Sequence, residues 1–131
     1  MAGIVISNKQ SAQVLILDDE ADLADELVDW LYGKNLIAVS ASDPEKFVEI
    51  YKSNDQCRVL IVDLRLPFTF GYEVIRTVLE FPKSSQSPAI IYMSGSPSQD
   101  DFDKMSEISE YDFVAKPPNL DVLYQLILDK I

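Results

Sequence analysis

Four apolar runs of this chain end on polar residues that could do chemistry together. Val14-Leu15-Ile16-Leu17 runs into Asp18-Asp19-Glu20, and Val59-Leu60-Ile61-Val62 runs into Asp63. Ala89-Ile90-Ile91-Tyr92-Met93 ends at Ser94-Gly95, and Phe113-Val114-Ala115 ends at Lys116-Pro117-Pro118. Two or three carboxylates can hold Mg²⁺, a hard cation that keeps part of its water shell and leaves room for phosphate. An ammonium and a hydroxyl stabilise the charge that spreads over a transferring phosphoryl group. An aspartate can itself be the nucleophile and form an acyl phosphate. The chain has no histidine, which removes Ser-His and Cys-His pairs, imidazole bases and His-containing zinc sites. Phosphoryl transfer to a carboxylate needs none of these.

The elements that must position these groups alternate along the chain. After the first strand, Asp22 to Tyr32 carries Leu23, Leu27 and Leu31 at helical spacing, with Gly33 as the stop. Leu36 to Ala41 reads as a strand. Asp43-Pro44 reads as a helix cap with a first-turn proline, and the helix after it is expected to bury Phe47 and Ile50. Tyr72 to Phe81 carries the stripe Val74, Ile75, Val78, Leu79, and a Ser-rich loop runs from Pro82 to Pro88. Phe102, Met105 and Ile108 mark a fourth helix, and Leu120, Leu123, Ile127 and Leu128 a fifth. Five strands alternating with five helices predict an α/β fold with a parallel sheet, its apolar strands covered on both faces. In such a sheet the carboxyl ends of all strands share one edge, where ligands bind at the reversal of strand order. Residues 1–12 read as an N-terminal arm and 13–131 as one domain.

Composition narrows the partners. A net charge of −11 repels nucleic acid and anionic membranes, so direct contact with either is not expected. No apolar run approaches the roughly 20 residues of a membrane span, and Met1 to Gln10 lacks a signal-peptide pattern. Cytoplasm is the expected compartment. Cys57 is the only cysteine. It can form no internal disulfide, and it reads as a small buried hydrophobe.

Taken in order and at their spacing, Leu17-Asp18-Asp19-Glu20, Val62-Asp63-Leu64-Arg65-Leu66-Pro67 with Gly71, Met93-Ser94-Gly95 and Phe113-Val114-Ala115-Lys116-Pro117 resemble the receiver domain of two-component response regulators. The resemblance covers about residues 13–131. It implies a flavodoxin-like (βα)5 three-layer sandwich with strand order 2-1-3-4-5. It implies that Asp63 accepts a phosphoryl group from a histidine kinase or a histidine phosphotransfer protein. Asp19 and Asp63 become direct Mg²⁺ ligands, Asp18 acts through water, and the backbone carbonyl of Arg65 completes the protein's share. Lys116 pairs with a phosphoryl oxygen, and Ser94 moves to bond another. Phe113 takes the place of the switch aromatic. The response is expected on the fourth helix–fifth strand–fifth helix face, roughly Pro97 to Ile131, where an output domain or effector protein binds. A homodimer through that face is also compatible. The family is a phosphoacceptor with slow self-dephosphorylation, not a turnover enzyme.

Singly, each motif has a plainer reading. Asp18-Asp19-Glu20 suits a helix N-terminus, Asp63 a turn, Ser94-Gly95 a loop start and Phe113 the core. Trp30 reads as packing. The sequence also departs from the family pattern. Phe70 stands where Asp or Asn often precedes the glycine, which makes that loop a candidate docking spot. Ser109-Glu110 replaces a Gly-Ala pair, Pro118 doubles the proline after Lys116, and Arg65 occupies a position that tunes acyl-phosphate lifetime. The alternative function is a receiver-like docking module that works without phosphorylation. Arg65 argues against a phosphatase with an aspartyl nucleophile, which usually carries a second Asp there. The chain is expected to be either a stand-alone receiver or part of a longer protein.

Overall fold

The computed structural model describes residues 12–81, 83 and 86–131. Five strands, β1 (Val14–Leu17), β2 (Ala38–Ala41), β3 (Val59–Asp63), β4 (Ala89–Ser94) and β5 (Asp112–Ala115), alternate with five helices. These are α1 (Ala21–Gly33), α2 (Pro44–Ser53), α3 (Gly71–Leu79), α4 (Gln99–Ile108) and α5 (Leu120–Lys130). All strand pairs are parallel, in the order β2-β1-β3-β4-β5. This is the flavodoxin-like three-layer arrangement that the resemblance implied.

The period of two along each strand divides the core in two. Leu15, Leu17, Leu60, Val62, Ile90 and Tyr92 face one side and pack with Phe47 and Tyr51 of α2, Val74, Ile75 and Val78 of α3, and Met105 of α4. Val14, Ile16, Val59, Ile61, Ile91 and Met93 face the other and pack with Ala24, Leu27 and Leu31 of α1 and Leu123 and Ile127 of α5. Burial on both faces is why β1 and β3 are unbroken apolar runs with every residue buried. Cys57 is buried as expected. Burial pushes its thiol up to about 12, although Lys83 and a backbone hydrogen bond at Val59 pull the other way.

Several details differ from the sequence reading. The helix stop is Asn35 and not Gly33: Asn35 takes a left-handed φ of 67°, and the N–H groups of Lys34, Asn35 and Leu36 donate to the carbonyls of Leu31, Tyr32 and Leu31. In α2 it is Tyr51, one residue on, that is buried with Phe47, while Ile50 is half-buried. Leu120 and Leu128 of α5 stay exposed, because the helix buries Leu123 and Ile127 against the sheet, with Tyr124 and Leu126 half-buried beside them. Residues 1–11 of the expected arm, with Pro82, Ser84 and Ser85, lie outside the described residues. Ala12 is buried, and its carbonyl accepts from the Asn54 amide at 3.1 Å.

Candidate functional site: an acidic pocket at the switch point

β1 lies between β2 and β3, so the chain crosses from one half of the sheet to the other beside its carboxyl end. Asp18 follows β1 directly and Asp63 is the last residue of β3, so the register Leu17↔Val62 brings their side chains together. Carboxylate oxygens of Asp18, Asp19 and Asp63 lie within 4.8 Å of one another. Asp18 and Asp63 are buried, whereas Asp19 is exposed. At an effective dielectric of about 20, two charges at that spacing repel by about 3 kcal/mol.

Lys116 supplies the opposing charge. Its Nζ lies 2.9 Å from Asp18 Oδ2 and 3.1 Å from Asp63 Oδ2, and 3.3 Å from Oε1 of the exposed Glu20. The backbone places it: Lys116 N–H donates to the Ser94 carbonyl at 3.0 Å, and the Lys116-Pro117 peptide is cis. Burial works against the Lys116 ammonium. Hydrogen bonds to Asp18 and Asp63 outweigh it and hold its pKa above the ordinary lysine value. Asp63 is raised above the ordinary carboxylate range. Burial is the main cause, Lys116 opposes it and the Asp18 charge adds to it. Asp63 Oδ1 accepts from the Arg65 N–H at 3.3 Å, and Asp18 Oδ1 accepts from Glu20 N–H at 2.9 Å.

Ser94 ends β4 and is buried, with its Oγ accepting from Ser96 N–H at 3.4 Å. Phe113 lies apart from the carboxylates. It is half-buried on β5, edge-on to Phe102 of α4 at 5.4 Å. Gly71 is fixed by close approach, since a Cβ there would meet the Asp63 carbonyl oxygen and lie 2.7 Å from Val62 Cγ1. Phe70 stacks on Tyr72 at 5.1 Å, and Phe68, at the loop tip, is fully exposed.

Sequence reasoning missed one contact. The Arg65 guanidinium forms an ion pair with Asp101, a buried residue in the first turn of α4. Ser98-x-x-Asp101 is legible as a capping box, and both of its bonds form. Nothing in the sequence links it to a residue 36 positions earlier.

Among the described residues, three carboxylates, one of them open to solvent, beside a single close ammonium leave an uncompensated negative charge of oxygen donors. That donor set fits a hard divalent cation such as Mg²⁺. The fold and pocket together define a flavodoxin-like α/β protein with an acidic, cation-accepting centre at its switch point. The family model described as response regulator receiver domain matches residues 14–128, and the chain belongs to that family, whose members serve two-component signal transduction. It is 30% identical over 112 residues to a protein-glutamate methylesterase/protein-glutamine glutaminase of Anaeromyxobacter dehalogenans, covering 83% of this chain and 30% of the relative. It is 25% identical over 120 residues to the autoinducer 1 sensor kinase/phosphatase LuxN of Vibrio campbellii, covering 92% and 14%. The chain thus spans less than a third of either relative. Among solved structures, a response regulator receiver protein of Pseudomonas putida matches with a TM-score of 0.80 at 26% identity, covering 89% of this chain and 95% of that one. The receiver domain of Saccharomyces cerevisiae Ssk1, co-crystallised with the histidine phosphotransfer protein Ypd1, matches at 0.79 and 24%, covering 92% and 89%. Among the described residues, no helix is long and apolar enough to cross a membrane.

Proposed function

We propose that this receiver domain is a phosphoacceptor switch that takes a phosphoryl group on Asp63. The observation that carries the reading is the meeting of Asp18, Asp19 and Asp63 with the Lys116 amine at the carboxyl edge of the sheet. A carboxylate oxygen of Asp63 attacks the phosphorus of a phosphohistidine. The new O–P bond forms as the P–N bond breaks, and the leaving imidazole keeps the electron pair and takes up a proton. Asp19 and Asp63, with the Arg65 carbonyl, would hold Mg²⁺, with Asp18 acting through water. Bound there, the ion neutralises charge on the phosphoryl oxygens. Lys116 already reaches Asp63 Oδ2 and pairs with one phosphoryl oxygen. Ser94 gives up its bond from the Ser96 N–H and turns its hydroxyl to another. Phe113 follows, loosening its contact with Phe102 and so changing α4 and the face it shares with β5 and α5. Exposed Val122, beside half-buried Leu126, gives that face apolar ground for an effector, an output domain or a second copy. The donor is a histidine kinase or a histidine phosphotransfer protein; the similar receiver domain of Ssk1 was crystallised with one of the latter. Hydrolysis of the acyl phosphate is slow and restores the resting state.

The test is incubation with acetyl phosphate and Mg²⁺, followed by mapping of any acid-labile, hydroxylamine-sensitive adduct. One phosphoryl group on Asp63 is expected, absent in Asp63→Asn and absent with a chelator. Folded protein that stays unmodified, or is modified elsewhere, overturns the reading in favour of a docking module that needs no phosphorylation.

A further inference from the structure

We propose that Asp101 is a positioning residue for the cation site: it parks the Arg65 guanidinium on α4 and keeps it out of the acidic pocket. The inference rests on the reading of that pocket as an Mg²⁺ site. Arg65 is two residues from Asp63, and its own N–H already bonds Asp63 Oδ1. Its side chain is 47% exposed, so it has freedom to move through solvent. The pocket beside it holds three carboxylates, with Lys116 as the close counter-charge. A mobile guanidinium at that position is drawn to the excess of negative charge, where its fork suits paired carboxylates. It would compete there with a divalent ion.

The structure shows what prevents this. Asp101 is buried, and its Oδ2 accepts from both the Arg65 guanidinium and the Ser98 N–H. The Ser98 hydroxyl accepts from Asp101 N–H in return and completes the helix cap, whereas the carboxylate itself is anchored by the Ser98 backbone N–H, which a side-chain substitution does not remove. A carboxylate buried that deeply needs a cationic partner or suffers a large desolvation cost, so Asp101 holds Arg65 firmly. The Phe70 ring lies 5.4 Å from the guanidinium carbon and supports the same pose. The parked guanidinium leaves the Arg65 carbonyl and the open side of Asp19 available to the cation.

The test is calorimetric titration of Mg²⁺ into the intact chain. Asp101→Asn keeps an acceptor for Ser98 but removes the charge that holds Arg65, and it is expected to weaken Mg²⁺ binding by about threefold or more, the scale of a half-exposed charge interaction. Arg65→Gln keeps the backbone carbonyl and removes the competing guanidinium, so in that background adding Asp101→Asn changes Mg²⁺ affinity no further. Ser98→Ala breaks the helix cap, leaves the ion pair and keeps wild-type affinity. The proposal falls if Asp101→Asn binds like wild type, if it weakens binding equally in both backgrounds, or if Ser98→Ala reproduces its effect. A wild type that binds Mg²⁺ but takes no phosphoryl group from acetyl phosphate overturns the phosphoacceptor reading alone.

Discussion

At the scale of single residues, Asp63 carries a tension between stability and function. Burial and the charge of Asp18 raise its pKa, with Lys116 opposing them. The folded state therefore binds this proton more tightly than the unfolded chain does. Stability from this carboxyl is complete below its ordinary range and declines as pH rises through that range towards the raised native value. Asp63→Asn escapes the decline. In metal-free buffer it is expected to be more stable than wild type at neutral pH, because Asp63 no longer has to hold a buried charge beside that of Asp18. Its advantage should shrink on acidification. Urea denaturation of both proteins across pH checks this, and an advantage that grows towards acid would contradict it. Cys57 makes a simpler case. With its thiol buried and pushed up to about 12, it holds almost no thiolate at neutral pH. A disulfide reagent should modify it only as fast as the protein opens, and labelling should accelerate in step with denaturant. Rapid labelling of the native protein would show the thiol to be reachable.

At the scale of elements, the turn from β3 into α3 is the tightest constraint near the site. Gly71 N–H donates to the Leu64 carbonyl at 2.8 Å, which draws the start of α3 against the end of β3. A methyl group there has to displace the Asp63 carbonyl or Val62. Gly71→Ala should cost about 1–3 kcal/mol, the range for forcing an extra carbon into a packed core. It should also slow labelling of Asp63 by acetyl phosphate, because the displaced backbone carries the nucleophile. A normal denaturation midpoint would mean that α3 yields instead. Gly71 was legible in sequence as a loop punctuator, but not as a point of close approach. The strands were legible because burial on both faces leaves them continuously apolar, and the pocket because its residues sit at strand ends. Helix faces were less so. Leu120 and Leu128 fit a helical stripe, yet α5 turns Leu123 and Ile127 to the sheet and leaves those two outside. Asn35 outdid Gly33 as the helix stop because the left-handed turn falls two residues later, at a position Asn tolerates. The Arg65–Asp101 pair had no signal at all, since it depends on how α4 packs beside the loop after β3.

At the scale of the whole molecule, a net charge of −11 makes any added cation stabilising to some degree, so a specific Mg²⁺ site must be told apart from general screening. A ligand that binds only the folded state stabilises it in proportion to the logarithm of its concentration over Kd. At ten times Kd that is about 1.4 kcal/mol, or roughly 5 °C in Tm for a domain of this size. Mg²⁺ should therefore raise Tm by that amount and keep raising it with log concentration. NaCl at matched ionic strength should produce less. Asp19→Asn is the informative variant, because Asp19 is the exposed member of the cluster and its loss disturbs packing least. Its Mg²⁺ response should fall to that of NaCl, while its Tm without metal stays level or rises as repulsion within the pocket is relieved. If Mg²⁺ and NaCl stabilise wild type equally, the three carboxylates are only part of an acidic surface. If Asp19→Asn keeps the full Mg²⁺ response, the ion binds elsewhere.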